Sequence, residues 1–200
     1  MRGIPPGTAF APGTLFHNVS WEEHRGKALF FGKNADHRYD DPLKQFGVLY
    51  VAPKLSSALM ESVFHKHQWF RESRPRSISR TMLEKRMVRM IGVVDPIVVA
   101  DLTQDDVMAA CLGVDLETLV CRDYGYTQGL SRSIHQLVDD DGQPLFDGIR
   151  YPSRNDYPAG CIALFDRTTG RVHVETDIAL ARHADWPPFV AKHEVAIVDG

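Results

Sequence analysis

The chain has 200 residues, of which 44% are hydrophobic, and 23 basic residues against 26 acidic ones give a formal net charge of −3. This composition excludes an intrinsically disordered chain and a strongly basic nucleic-acid-binding protein, and it predicts one domain with a substantial core. Three cysteines without CxxC spacing disfavour a disulfide framework and a structural zinc site, while the lack of an export signal or a long apolar run predicts a cytoplasmic protein without a membrane span.

The chain begins with a segment that we expect to be a flexible arm. Residues 1–13 contain three Pro and three Gly, which disfavour regular structure. Alternation over residues 14–19 predicts a first strand that carries His17, and the apolar run at 48–52 predicts another strand.

A helical pattern follows the second of these strands and carries a carboxylate at its border. Ser56 or Ser57 stands where a helix cap is expected, and apolar residues then recur at helical spacing. These apolar residues are Leu59, Met60, Val63 and Phe64. Glu61 falls beside the apolar face. A solvent-exposed Glu is the commoner case at such a position, so the spacing alone leaves a catalytic and a merely solubilising role open.

Residues 71–89 form a basic segment, with seven Lys or Arg against two Glu. Its first half contains Pro75 and several Ser, which predict a mobile loop. The segment lacks the interleaved aromatic residues of a single-strand-binding surface. A solvated loop or a surface for an acidic protein partner is therefore favoured over a nucleic-acid site.

The second half of the chain mixes predicted strands and helices. Strands are predicted at 87–94, 97–100, 148–151, 161–165 and 171–175, and helices after Thr103, Asp115 and Thr127 and at 177–184. The turn at 166–170 is expected to join the last two strands as a hairpin. This order predicts an α+β fold, a single domain with short mixed or antiparallel sheets and flanking helices. The sequence has no GxGxxG, GxxxxGK[ST], GxSxG or HExxH motif, so a bound nucleotide must be held by side chains.

Four short motifs, in this order along the chain, carry a family resemblance. They are Arg38-Tyr39, LYVA followed by ALME, YTQGLSRSIH and GIRYPSR. Over roughly residues 14–175 the chain resembles the RES-domain family, the toxins of RES/Xre-type toxin–antitoxin pairs. The resemblance implies an ADP-ribosyltransferase-like fold, with residues 14–200 as the catalytic domain. It also implies cleavage of NAD at the nicotinamide–ribose bond, with phosphate or water as the acceptor.

The resemblance further implies which partners to expect. NAD is the substrate, inorganic phosphate is a candidate co-substrate, and no cofactor is expected. The spacing of the Cys and His residues separately predicts no metal site. An Xre-like antitoxin would hold the enzyme inactive, so nucleic acid would be contacted only indirectly through that partner. A homo-oligomer is left open.

NAD cleavage builds positive charge on the ribose, and it calls for a carboxylate, a cation for the phosphates and an aromatic surface. In the matching positions, Glu61 would stabilise the developing charge and Arg38 would bind phosphate oxygens. Tyr39 and Tyr50 would offer flat faces. Ser153 would bond to substrate or place the attacking group.

Three further positions are candidates for substrate binding. The family commonly has a basic residue, often Arg, in its first strand, and His17 stands there in this chain. Arg150 and Tyr151 also belong to a matching motif, but neighbours on a strand point to opposite faces, so they cannot both face the site.

Two alternatives to NAD degradation stay open. The same fold could transfer ADP-ribose to a protein. A non-catalytic module could instead use the basic segment 71–89 to bind a partner or RNA.

Overall fold

The computed structural model describes residues 3–65, 76–104 and 106–199. Its strands are β1 (Gly7–Phe10), β2 (Leu15–Trp21), β3 (Val48–Val51), β4 (Ser77–Ser79), β5 (Arg86–Val93), β6 (Ile97–Asp101), β7 (Gly148–Pro152), β8 (Gly160–Phe165), β9 (Val172–Ala179) and β10 (Ala196–Val198). Its α-helices are α1 (Leu55–Ser62), α2 (Arg80–Glu84), α3 (Leu116–Val120), α4 (Gly125–His135) and α5 (Trp186–His193), and a π-helix covers Val107–Leu112. Strands and helices are interspersed in one domain, which confirms the α+β class.

The strands form mixed sheets. Within the described residues, five strands form one sheet in the order β1-β6-β7-β8-β3, and three form a second in the order β2-β5-β9. Neighbouring strands of these two sheets are antiparallel, except for the parallel pair β6 and β7. Strands β4 and β10 form a separate parallel pair.

An apolar layer lies between the two larger sheets, and helices cover the outer face of the five-stranded sheet. Alternate residues of β8 contact the two sides of the sheet. Ile162 and Leu164 pack with Ile91 of β5 in the layer between the sheets. The intervening Ala163 belongs to a second apolar cluster with Ile134 of α4. Strand β8, inside the five-stranded sheet, is therefore buried on both faces.

Helix α1 is held by a third apolar cluster. Leu55 and Leu59 of this helix are buried and pack in one cluster with Phe189 of α5 and Val88 of β5. Glu61 lies in the last turn of the helix and is only partly buried. The apolar face thus fixes the helix, as its periodicity predicts, and leaves the carboxylate at the border of that face.

The flexible arm expected over residues 1–13 is wrong for residues 7–10. They form β1, which pairs with β6, and Thr8 Oγ1 donates a hydrogen bond to Asp101 at 2.7 Å. Pro6 and Pro12 flank this strand and do not interrupt it, which is why proline content misled the prediction. The domain boundary at residue 13 stays a prediction.

Two further expectations in the second half are wrong. The predicted hairpin does not form, since β8 pairs with β7 and β3 while β9 pairs with β5 in the other sheet. A 3-10 turn at Asp166–Thr168 carries the chain between the sheets. The helix expected at 177–184 is reduced to a 3-10 turn at Leu180–Arg182, because β9 extends to residue 179 and α5 starts only at Trp186, with prolines in its first turn.

The basic segment 71–89 proves partly structural. Residues 71–75 lie outside the described residues, as does the expected helical pattern beyond residue 65. Arg86 lies 3.5 Å from the ring centroid of Trp21, and the buried Arg89 pairs with Asp177 at 2.8 Å. These two arginines stabilise the β-sheet and are not a solvated surface. None of the described helices has the length and apolar character needed to cross a bilayer.

Candidate active site

The candidate site is centred on Glu61 of α1, which meets side chains from two distant segments. Nη2 of Arg38 lies 3.5 Å from Oε2 of Glu61, with side-chain exposures of 8% and 17%. Ser153 follows β7, is fully buried and donates its hydroxyl to Oε1 of Glu61 at 2.6 Å. One carboxylate oxygen therefore faces a cation and the other accepts a hydroxyl.

The loop after β7 fixes the carboxylate through its backbone. The Asn155 amide donates to Oε1 of Glu61 at 3.2 Å, and the Asn155 side chain donates to the carbonyl of Met60 at 3.0 Å. The Asp156 amide donates to Ser153 Oγ at 2.9 Å. These bonds tie the loop to the last turn of α1 and orient the carboxylate before any substrate arrives.

A second tie comes from the first turn of α1. Ser57 Oγ donates to Oδ2 of Asp156 at 2.7 Å. The helix begins at Leu55 without a side-chain cap, so the expected capping role of Ser56 or Ser57 is wrong. Ser57 lies inside the first turn and not before it, so its hydroxyl cannot cap the helix and instead donates to the loop carboxylate of Asp156.

The carboxylate of Asp40 holds the loop of residues 36–40, which carries Arg38. Asp40 Oδ2 accepts the amides of Asp36 and His37 at 3.0 and 2.9 Å. Its Oδ1 accepts the Tyr50 hydroxyl at 2.9 Å, and that hydroxyl accepts the Tyr39 amide at 2.9 Å. Two of these hydrogen bonds close the loop on its own Asp40, and two join it to Tyr50 of β3.

Helix α4 supports the same loop from its other side. Ser131 Oγ donates to the carbonyl of Tyr39 at 2.6 Å, and Gln128 Nε2 donates to the carbonyl of His37 at 2.9 Å. Arg132 pairs with the buried Asp41 at 3.1 Å. The motif YTQGLSRSIH therefore acts on the site indirectly, by holding the arginine loop.

The Arg38 guanidinium is buried with unused donors. Its Nε and Nη1 atoms are buried and have no hydrogen-bond partner among the described residues. Its Cζ lies 5.4 Å from the ring centroid of Tyr151. Burial alone would lower the pKa of Arg38, but its surroundings, which include the Glu61 carboxylate, keep the pKa above its ordinary value. The site thus contains a permanent cation whose Nε and Nη1 donors are unused by the described residues.

Tyr39 and Tyr151 lie beside this cation, Tyr50 contacts both of these tyrosines, and the three differ in exposure. Tyr39 and Tyr151 are buried, with ring centroids 4.5 Å apart, while Tyr50 is partly exposed. Tyr39 therefore does not offer the open face expected of it, because its loop is folded onto the core. Burial raises the pKa of all three phenols, which keeps them protonated.

The sequence model of the RES domain family matches residues 16–187. The chain belongs to the RES-domain family. A comparison with curated proteins found no match. Family membership is compatible with an NAD-related, toxin-like role, and the match includes Arg38, Glu61 and Ser153.

The structure separates Arg150 and His17 from the contacts of this RES-domain site. Arg150 pairs with Asp101 at 2.9 Å and lies on the strand face opposite Tyr151. His17 has His183 as its ring neighbour, with centroids 5.7 Å apart. Of the predicted site residues, Arg38, Glu61, Ser153, Tyr39, Tyr50 and Tyr151 are linked by direct contacts in one cluster.

Sequence reasoning missed the residues that orient this RES-domain site. Asp40 follows the Arg38-Tyr39 pair directly, and an Asp beside a turn commonly accepts loop amides, so its position was a usable signal. Asn155 and Asp156 act through contacts with α1, nearly a hundred residues away. No local pattern indicates such contacts.

Proposed function

We propose that this protein cleaves the nicotinamide–ribose bond of NAD, with phosphate or water as the acceptor, and that it is the toxin of a toxin–antitoxin pair controlled by an Xre-like partner. One observation carries the proposal. Glu61, in a member of the RES-domain family, is held by Ser153 on one oxygen and faces the buried Arg38 on the other.

The reaction needs little proton transfer. In NAD the nicotinamide is a cationic pyridinium, so the C1′–N bond breaks with its electron pair going to the ring nitrogen, and nicotinamide leaves neutral. Positive charge spreads over the ribose, as in glycoside cleavage. A phosphate or water oxygen then forms the new bond to C1′, and water also releases a proton. A fixed carboxylate beside C1′ stabilises this transition state, which is the role we assign to Glu61.

Arg38 suits the diphosphate of NAD. Its Nε and Nη1 are buried donors without partners among the residues described. Each hydrogen bond from a guanidinium to a phosphate oxygen contributes about 1.5–3 kcal/mol. A phosphate oxygen would satisfy these donors, and it would offset the desolvation of the arginine.

Ser153 and Tyr50 have supporting roles in this proposal. Ser153 gives its hydroxyl to Glu61, so we assign it to positioning the carboxylate and not to contact with substrate. Tyr50 is partly exposed while its hydroxyl is fixed by Asp40. Its ring is the surface on which we place the substrate, by contact with a flat heterocycle.

The test is incubation of purified protein with NAD, with and without inorganic phosphate, and mass analysis of the products. Phosphorolysis yields nicotinamide and ADP-ribose 1-phosphate only when phosphate is present, whereas hydrolysis yields ADP-ribose in both cases. Nicotinamide release accompanied by ADP-ribosylated protein would instead assign the acceptor to a protein. Unchanged NAD after long incubation would refute the proposal.

A further inference from the structure

A cluster of metal-ligating side chains lies apart from the contacts of the candidate active site. His17, His183 and Asp185 each offer one ligand atom, and these three atoms all lie within 4.8 Å of one another. We propose that these residues form a binding site for a divalent transition-metal ion, with Zn²⁺ as the ion that fits best. This departs from the expectation, drawn from spacing in the sequence, that the protein binds no metal.

The donor set selects the class of ion. Two imidazoles and one carboxylate are common ligands of zinc, and such sets with three protein ligands leave a fourth position for water. Nitrogen donors disfavour Mg²⁺ and Ca²⁺, which prefer oxygen. Asp185 is exposed, so an ion can approach this ligand from solvent.

The geometry needs only a small adjustment. Tetrahedral zinc with bonds of about 2.1 Å puts its ligand atoms about 3.4 Å apart and two coordinating imidazole centroids about 5 Å apart. The rings of His17 and His183 have centroids 5.7 Å apart and planes at 67°, so they are not stacked. The ligand atoms lie within 4.8 Å of one another, so side-chain rotations that bring them closer by up to about 1.4 Å would close the site around an ion.

Both halves of the site stand on fixed backbone. His17 lies in β2, and its amide and carbonyl are both hydrogen bonded to Ala52, at 2.7 and 2.9 Å. The His183 amide bonds to Leu180 and its carbonyl accepts the amide of Trp186, and both of these neighbours are buried. The ligands are therefore held by a strand and by an anchored turn, which reduces the ordering that an ion must impose.

The hydrogen bonds of the two imidazoles leave nitrogens available. Nδ1 of His17 is buried and has no hydrogen-bond partner in the described part of the chain. Nδ1 of His183 accepts the exposed Asp185 amide at 3.2 Å. An ion bound at this atom would displace the Asp185 amide, whose long hydrogen bond water can replace. The free-energy loss is therefore small. The Asp185 carboxylate makes no capping bond to α5, so it too is available.

The site would join β2 to the segment that precedes α5. A bound ion stabilises the folded state because the unfolded chain does not hold the three ligands together. This role is independent of NAD cleavage, so the two proposals can succeed or fail separately.

The test is direct metal titration of chelator-treated protein. Co²⁺ is expected to bind in a 1:1 ratio with the visible absorption of a tetrahedral site, and Zn²⁺ is expected to displace it and raise the melting temperature. Loss of a residue that only supports a metal ligand weakens metal binding about 10–100-fold. His183→Ala and Asp185→Asn each change a ligand itself, so each should weaken binding at least that much. Asp185 is exposed, so its variant keeps the test valid should His183→Ala fold poorly.

The matched control is His173→Ala. His173 pairs with Glu175 at 3.0 Å on the exposed side of β9, and this pair could bind an ion adventitiously. The control should bind one equivalent with the affinity of the parent. Absence of 1:1 binding, binding that survives both site variants, or binding that is lost in the control would overturn the proposal.

Discussion

Replacing Glu61 by Gln removes a charge and keeps the shape of the side chain. The amide oxygen of Gln can still accept the Ser153 hydroxyl and the Asn155 amide, which bond to Oε1 at 2.6 and 3.2 Å. The negative charge 3.5 Å from Arg38 is lost. Loss of a preorganised electrostatic partner lowers a rate by about 10²–10³-fold, or about 2.7–4 kcal/mol, so we expect NAD turnover to fall by that factor.

The same change lowers stability, and the size of this effect decides how the assay is run. Removing one partner of a fully buried ion pair costs about 3–5 kcal/mol. The 17% exposure of the Glu61 side chain makes this an upper bound. Each kcal/mol shifts the melting temperature of a domain of this size by about 2–4 °C. Rates must therefore be compared at a temperature at which circular dichroism shows that the variant is folded.

The assay is the initial rate of nicotinamide release at saturating NAD, followed by chromatography. The matched control is Glu84→Gln, the same chemical change at an exposed position of α2, and it should retain the parent rate. A folded Glu61→Gln protein that released nicotinamide as fast as the parent would refute the assignment of Glu61. It would also remove the main support for NAD cleavage at this site.

Three further predictions concern Arg38, Ser153 and the half-buried His135. Arg38→Lys keeps the charge and loses the planar donor fork, so the KM for NAD should rise about 10–100-fold with a smaller change in kcat, measured from initial rates; an unchanged KM would exclude phosphate binding by Arg38. Ser153→Ala removes the 2.6 Å bond to Glu61, so kcat should fall about 10-fold or more while KM changes little, and the reverse pattern would assign Ser153 to substrate contact. Burial and Arg167 lower the pKa of His135 from its ordinary value of 6.5 to about 4. His135 is therefore protonated near pH 6.5 in the unfolded chain but only near pH 4 in the folded chain. The neutral His135 side chain contributes to the free energy of unfolding above pH 6.5, and this contribution is lost as the pH falls towards 4. The His135→Phe variant keeps a ring against Phe46, and its free energy of unfolding in urea should fall less between pH 7 and 4 than that of the parent. An equal fall in both proteins would contradict the lowered pKa of His135.

The part of the site that could be predicted from sequence was the part encoded in short motifs. Apolar spacing placed Glu61 at the border of a buried helix face, and the structure has it there. Strand alternation indicated that Arg150 and Tyr151 could not share a face, and the structure pairs the first with Asp101 and the second with Arg38. These are local properties of one element, so periodicity suffices to find them.

The parts that escaped prediction depend on which distant segments meet. Whether β9 pairs with β8 or with β5 is decided by the packing of two sheets, and the turn between β8 and β9 has a composition that suits either outcome. The contact of His17 with His183 joins the two ends of the chain, and no spacing rule reports it. Tyr39 follows a charged residue in a loop, yet Tyr151 and α4 bury it completely.

The energetics of the Arg38–Glu61 pair favour a role in binding over a role in stability. A buried ion pair repays its desolvation only when its remaining donors and acceptors are satisfied. Two donors of Arg38 stay without a partner among the described residues, while apolar contacts of α1 and the bonds to Asp40 already fix the two segments that carry the pair. The desolvation of Arg38 is therefore not fully offset by contacts with the described residues. An anionic ligand that accepts these donors would recover it, and because such a ligand binds only the folded state, its stabilising effect should depend on Arg38.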